Sequence, residues 1–237
     1  FRSEHSLTNK HVSEFTHLEI EMIDCKNEDL MSIGEQYIRH IIRAVYENNK
    51  KDIEELSKFV SKGLNERFNE LLDMKFYRKT YDECINLINA YSDITCEYGE
   101  DLSSEMEEFL TSHFDGAVFV YNWPSSIKSF YMKQKTENAE NDTVPLCENF
   151  DLLLPYGIGE LIGGSMREHR EELLLAMMDI KGVPREGLEW YIDLRRYGSV
   201  PHGGFGLGMD RLLMLVTGMT NIKDVIPFPV YYQNCNY

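Results

Sequence analysis

The chain has 237 residues, 43% of them hydrophobic, which is enough for one domain with a sizeable core. Its net charge of −16 excludes a surface that is basic throughout, so a DNA- or RNA-binding module is not the main role and any nucleic-acid contact must be local. The cysteines at 25, 84, 96, 147 and 235 are odd in number, far apart and free of any Cys-x-x-Cys pair, which reads as reduced intracellular thiols with neither a zinc site nor a disulfide framework.

In chain order, Arg2 and Glu4 share one face of an extended segment, residues 6–10 form a polar loop, and the chain returns through His11 to Phe15. Residues 15–24 then alternate, with Leu18, Ile20 and Met22 on one face of a strand and His17, Glu19 and Glu21 on the other. Such a hairpin is either a charged sheet edge or a nucleotide site, with arginine for a phosphate, a carboxylate for an exocyclic amine, His11 as a switchable imidazole and Phe15 to stack on a base. Residues 27–49 carry the strongest helical pattern, through Leu30, Ile33, Tyr37, Ile41 and Val45. The charged stretch 50–87 continues as helix with a solvated face, and Gly63 divides it in two. Ser104 and Glu107 form a capping-box pattern, so residues 101–108 are expected to start a helix. Residues 117–121 and 127–132 read as strands joined through a Trp123-Pro124 turn, and 134–148 as a polar loop or insertion.

Residues 149–167 read as a second hairpin, reversing at Pro155-Tyr156-Gly157, with Asp151 and Glu160 close together at the mouth of a sheet. Two neighbouring carboxylates repel unless a cation lies between them. Either magnesium escorting nucleotide phosphates fills that place, or these are surface acids paired with lysines. Arg167 follows two glycines and projects into the same cleft, suited to a ligand carboxylate or carboxamide. Residues 168–181 and 186–196 are expected to be helices supporting the sheet's other face, the first through Leu173, Leu174, Met177 and Met178. The stretch from Pro201 to Val216, PHGGFGLGMDRLLMLV, is a strand running into a helix. Glycines 203, 204, 206 and 208 leave bare backbone for a flat ligand, while Phe205 and Leu207 anchor the strand in the core. Arg211, off the helix's apolar face, is either a surface arginine at a strand-to-helix turn or a fork-shaped cation for phosphate oxygens.

These stretches carry a family resemblance. FRSE followed by HVSEF resembles motif 2, and GFGLGMDRLLML motif 3, of class II aminoacyl-tRNA synthetases of the aspartyl, asparaginyl and lysyl subgroup. DLSSEMEEFL, IKSFYM, GIGELIGGSMREHREE and WYIDLRRYGSVPHGGFG closely resemble the bacterial-type asparaginyl enzymes. The resemblance implies an α+β fold, an antiparallel sheet flanked by helices, and ATP-dependent activation of asparagine followed by transfer to tRNA(Asn). It implies that Arg2 contacts the α-phosphate and substrate carboxyl, Glu4 and Phe15 the adenine, His11 the terminal phosphates, and Arg211 the other face of adenine and the γ-phosphate, with Gly208 in the ATP site. Asp151 and Glu160 would lie at ATP-bound Mg2+, and Arg167 with Glu19 would read the asparagine side chain. Lys10 and Asp210 depart from the commoner residues but keep their charge. An aspartyl enzyme, an asparagine synthetase of the same fold and a non-catalytic paralogue are the alternatives. Residues 1–237 are expected to be a catalytic domain incomplete at its N-terminus, without motif 1 or an anticodon-binding barrel, from a protein that is a homodimer. No run approaches the roughly 18 apolar residues of a membrane span and no signal peptide is evident, so the expected location is the cytoplasm or, given a transit peptide, an organelle.

Overall fold

A computed structural model describes residues 1–2, 5–6, 8–135 and 145–235. The alternating stretch forms β1 (His17–Ile23), and the strongest helical pattern forms α1 (Asn27–Asn48). The charged region holds α2 (Lys50–Phe59) and α3 (Leu64–Leu72), separated as expected at Gly63, whose φ of 86° lies in the left-handed region. There the helical expectation ends early. Lys75–Thr80 is a strand, β2, and only then does α4 (Tyr81–Tyr91) begin, capped by Thr80 in a reciprocal box with Glu83. α5 (Ser104–Phe114) is capped by Ser103 rather than Ser104, which frees Glu107 from the cap. β3 (Gly116–Tyr121), β4 (Asn149–Leu154), β5 (Gly159–Met166), α6 (Glu171–Ile180), α7 (Glu189–Arg196), β6 (His202–Gly208) and α8 (Met209–Thr217) complete the order. Residues 127–132 are not the expected strand: Ser125–Ile127 is a 3-10 turn, and Met132 makes only an isolated bridge to Arg167.

The six strands run in the order β1-β6-β5-β4-β3-β2, antiparallel at every step except β2 against β3. Successive side chains on a strand face opposite ways, so each face of the sheet has its own core. On one face lie Phe119, Phe150, Ile162, Phe205 and Leu207 against Leu30, Ile38 and Ile42 of α1 and Leu212 and Leu215 of α8. The buried stripe of α1 is Leu30, Met31, Gly34, Ile38 and Ile42, one position off the expected set, because Gly34 lets the helix lie close over Ile162 and Phe119.

On the other face, Val118, Val120 and Leu153 pack against Tyr81, Cys84 and Ile88 of α4 and Leu110 of α5. These two helices cover β2, β3 and part of β4. α6 and α7 do not cover the sheet as expected. They form a separate small core of Leu174, Met178 and Ile192 with Phe130 and Tyr131, and Leu173 is 42% exposed. The region of this second face over β1, β6 and β5 is left open between the two helical groups.

Candidate active site

The floor of that opening is set by strand register. Glu19 pairs with Gly206, Gly206 with Gly163, and Gly163 with Asp151, giving one cross-strand row in which two glycines separate two acids. One step along, Glu21, Gly204, Ser165 and Asn149 form a parallel row. With strands about 4.8 Å apart, the first row spans roughly 14 Å. A Cβ built on Gly206 would lie 3.0 Å from both carboxylate oxygens of Glu19, and one on Gly163 would lie 2.8 Å from Glu160 Oε1 and 3.6 Å from Asp151 Oδ1. The bare backbone on this face of the cavity is therefore Gly206, Gly208 and Gly163, whereas Gly204 is buried beneath Glu21, whose Oε1 a Cβ would meet at 2.7 Å. Gly203 instead faces the core, where a Cβ would meet Met166 and Leu30. The cavity above this floor measures about 440 Å³.

One end of the cavity holds Arg2, Lys10, His11, Phe15, Gly208 and Arg211. The Arg2 guanidinium lies 5.5 Å from the Phe15 ring centre. The expected first strand of this hairpin is not laddered among the described residues: the Arg2 amide donates to the Ser13 carbonyl at 2.9 Å, and Thr8 bonds His11 Nδ1 within the turn. Glu4 lies outside the described residues. Asp210, which the sequence offered only as a retained charge, has a structural task. Its carboxylate accepts from the Thr16 amide at 2.9 Å while the Met209 amide donates to the Thr16 carbonyl at 3.0 Å, so the start of α8 is locked to the start of β1. This lock sets Arg211 in the cavity wall that Phe15 also lines, and Arg211 donates to the Glu160 carbonyl at 2.5 Å.

At the other end, Arg167 is held in place on several sides. Its Nε and Nη2 donate to Glu21 Oε1 at 3.1 and 2.6 Å, its Nη1 to Ser165 Oγ at 2.7 Å, and its guanidinium lies 5.4 Å from the Tyr131 ring centre. Glu19, two residues before Glu21 on the same face, bonds His17 Nδ1 at 3.0 Å instead. Glu19 and Arg167 line the one cavity, but the residue that grips Arg167 is Glu21.

Lys128, not singled out in the sequence, lies between the two ends. Its ammonium is 2.7 Å from Asp151 Oδ2 and 3.7 Å from the Trp123 ring centre. Burial works against the Lys128 charge, yet Asp151 beside it holds the ammonium above its ordinary range. Burial also drives the Asp151 carboxyl up to about 7, with Lys128 opposing and Glu160 adding to the rise. Glu160, exposed in the open cavity, is raised as well, first by the partial desolvation its neighbours impose and against the pull of Lys128 and Arg211. The Asp151 and Glu160 oxygens converge over Gly163. Among the described residues no cluster of three or more His, Cys, Asp or Glu is arranged to hold a metal. Two carboxylates without a third fit magnesium that arrives with phosphate oxygens and keeps its waters, and do not fit an all-protein cage.

The sheet, the glycine floor and the arginines on either side of it form one trough lined by polar and charged groups. Residues 1–231 match the family of class II tRNA synthetases (D, K and N), and the chain belongs to that family. Within it, the chain is similar to asparagine enzymes. It is 42% identical over 238 residues to a probable mitochondrial asparagine–tRNA ligase of Dictyostelium discoideum, covering 100% of this chain and 51% of that relative. It is 42% identical over 233 residues to the asparagine–tRNA ligase of Clostridium novyi, covering 97% of this chain and 49% of that protein. The asparaginyl-tRNA synthetase of Pyrococcus horikoshii, solved complexed with asparaginyl-adenylate, superposes with a TM-score of 0.87 at 37% identity over 99% of this chain and 51% of its own. The chain thus spans about half the length of these relatives. Among the described residues no helix is long and apolar enough to cross a membrane.

Proposed function

We propose that the protein activates asparagine with ATP to asparaginyl-adenylate and transfers it to tRNA(Asn). The observation that carries this reading is the floor row Glu19-Gly206-Gly163-Asp151, flanked along the strands by Arg167 on one side and by Phe15 with Arg211 on the other. A flat, extended ligand of mixed charge fits such a trough, and likeness to a relative solved with asparaginyl-adenylate supports the choice.

In this reading adenine stacks on Phe15 with Arg211 over its other face, Gly208 lets the nucleotide approach backbone closely, and Glu4 accepts from the exocyclic amine. Arg2 and Lys10 face the phosphates, and His11 the terminal ones. The asparagine carboxylate attacks the α-phosphorus in line. Arg2 stabilises the charge developing there, and pyrophosphate leaves toward His11 and Arg211. Asp151 and Glu160 would hold Mg2+, which when bound supplies charge neutralisation on the phosphates. The side-chain carboxamide offers its oxygen to Arg167 and its NH2 to Glu19. Because Glu21 already neutralises Arg167, an aspartate gains less from this arginine, and Glu19 repels it.

Residues 1–237 are, on this reading, catalytic-domain sequence, with the tRNA anticodon and the homodimer contact served elsewhere in the protein. The cytoplasm, or an organelle with its own translation, is where the reaction is needed. The test is exchange of radiolabelled pyrophosphate into ATP by the full-length protein, with asparagine and aspartate offered separately. Asparagine-dependent exchange is expected. Exchange with aspartate alone would move the protein to the aspartyl enzymes or the synthetase relatives, and none with either would favour a non-catalytic paralogue.

A further inference from the structure

The fourth residue of α5, Glu107, enters the site from a helix otherwise devoted to the second core. Its carboxylate and the Lys10 ammonium converge on the bare α-carbon of Gly159, where a Cβ would contact Glu107 Oε2 and lie 3.1 Å from Lys10 Nζ. Gly159 begins β5 with φ of 69° and precedes Glu160. The Glu160 amide donates toward the Glu107 carboxylate, and the Glu160 carbonyl accepts from Arg211 at 2.5 Å. One peptide residue is therefore gripped at its N–H by an anion and at its C=O by a cation, and its own carboxylate is aimed over Gly163 at Asp151.

We propose that Glu107 is a positioning residue for the polyphosphate end of the site: it clamps Glu160 against Arg211 and holds Lys10 at the phosphate wall. The inference rests on the adenylate-forming reading but concerns ATP rather than the amino acid. Groups that orient a ligand-holding carboxylate typically change affinity or activity by about 10- to 100-fold when removed. Nothing in the geometry links Glu107 to the Arg167 end.

The test compares Glu107→Ala and Glu107→Gln in the full-length protein. The glutamine keeps an acceptor for the Glu160 amide and loses the charge facing Lys10. The alanine loses both. Calorimetric titration with MgATP, without amino acid, and pyrophosphate exchange are measured on each, with thermal unfolding to verify folding. The alanine variant is expected to weaken ATP binding about 10- to 100-fold and to lower the exchange rate, with KM for asparagine within about two-fold of wild type. The glutamine variant is expected to recover most of the exchange rate and to keep a raised KM for ATP. If the alanine variant does not fold, this same split in the glutamine variant decides. Wild-type values throughout, or equal losses for asparagine and ATP, overturn the proposal. A wild-type protein that binds ATP in a Glu107-dependent way, yet exchanges with neither amino acid, would sink the asparagine reading and leave the clamp standing.

Discussion

Adjacent glycines at 163 and 164 point to opposite faces of β5, and adding one methyl to each should give opposite phenotypes. A Cβ on Gly164 enters the core, 2.6 Å from Phe150 Cε1 and 2.8 Å from Phe205 Cβ, with the Phe150 ring tip nearer still. Neither ring can retreat, because Phe119 packs edge-on against Phe150 and both rings are fully buried. Overpacking of this kind costs about 1–3 kcal/mol, and at roughly 2–4 °C per kcal/mol for a domain of this size Gly164→Ala should melt roughly 2–12 °C lower. A Cβ on Gly163 meets only the end of the Glu160 side chain at 2.8 Å, which can swing aside, and Asp151 Oδ1 at ordinary contact. Gly163→Ala should therefore keep stability within about 1 kcal/mol, since surplus volume outside the core is usually tolerated. The methyl stands in the middle of the trough floor, and steric misfit of one methyl is worth about 1–3 kcal/mol, or about 10- to 200-fold, in the KM for ATP and asparagine. Thermal unfolding and pyrophosphate exchange measure the two effects separately. Equal melting losses in both variants, or unaltered kinetics in Gly163→Ala, would refute the assignment of this face as the ligand floor.

Arg211→Ala removes a cation from the cavity wall and the tie to the Glu160 carbonyl, and the exchange rate should fall about 10²- to 10³-fold, the range for losing one aimed charge-stabilising group. Unchanged adenylation would sink the site assignment. Lys128→Met leaves the Asp151 carboxylate buried without its partner, a loss of about 3–5 kcal/mol where that carboxylate is charged. An acid whose folded pKa is raised favours the folded state when protonated and loses that advantage as pH climbs through the folded pKa. The variant's melting deficit should consequently grow from pH 6 to pH 8, and a deficit independent of pH would contradict the pairing. With Asp151 raised to about 7, its proton must leave before the carboxylate can accept a divalent cation, so MgATP affinity should rise with pH between 6 and 8 with proton release detectable by calorimetry in two buffers. Flat affinity would remove Asp151 from the cation site.

Much of the fold was legible because its signals are local. Strict alternation gave β1, the Phe205 and Leu207 anchors gave β6, and periodicity with a left-handed glycine gave α1, α2 and α3. β2 was not legible: KFYRKT carries three basic residues and reads as more charged helix, yet it is an edge strand in which Lys75 is exposed, Arg78 bonds Glu28 and Ser32 of α1, and Lys79 pairs with Glu83. Its pairing is set by Gly116, whose missing Cβ lets the Lys75 carbonyl approach, and nothing in the local sequence announces that. α6 and α7 were recognisable as helices, but no pattern told which hydrophobic surface they would join.

In the site, the residues named from motifs line one cavity, apart from Glu4, which lies outside the described residues. The roles missed are those of residues whose partners lie far away in the sequence. Glu21 grips Arg167 from 146 positions away, Lys128 pairs with Asp151 and Asp210 locks Thr16. Strand register brings Glu21 near Arg167, whereas Lys128 reaches Asp151 from the turn after Ser125–Ile127 and Asp210 reaches Thr16 from the first turn of α8. The period-two spacing of Glu19 and Glu21 marked both as facing the ligand side, which is the one signal that could have offered Glu21 as a partner for Arg167.

The most direct test of the central claim is titration of the full-length protein with a stable sulfamoyl analogue of asparaginyl-adenylate, beside the aspartyl analogue. Saturable binding of the asparaginyl form is expected, displaced by excess ATP, weakened in Arg211→Ala and not matched by the aspartyl form. No saturable binding, or equal binding of both analogues, would contradict it.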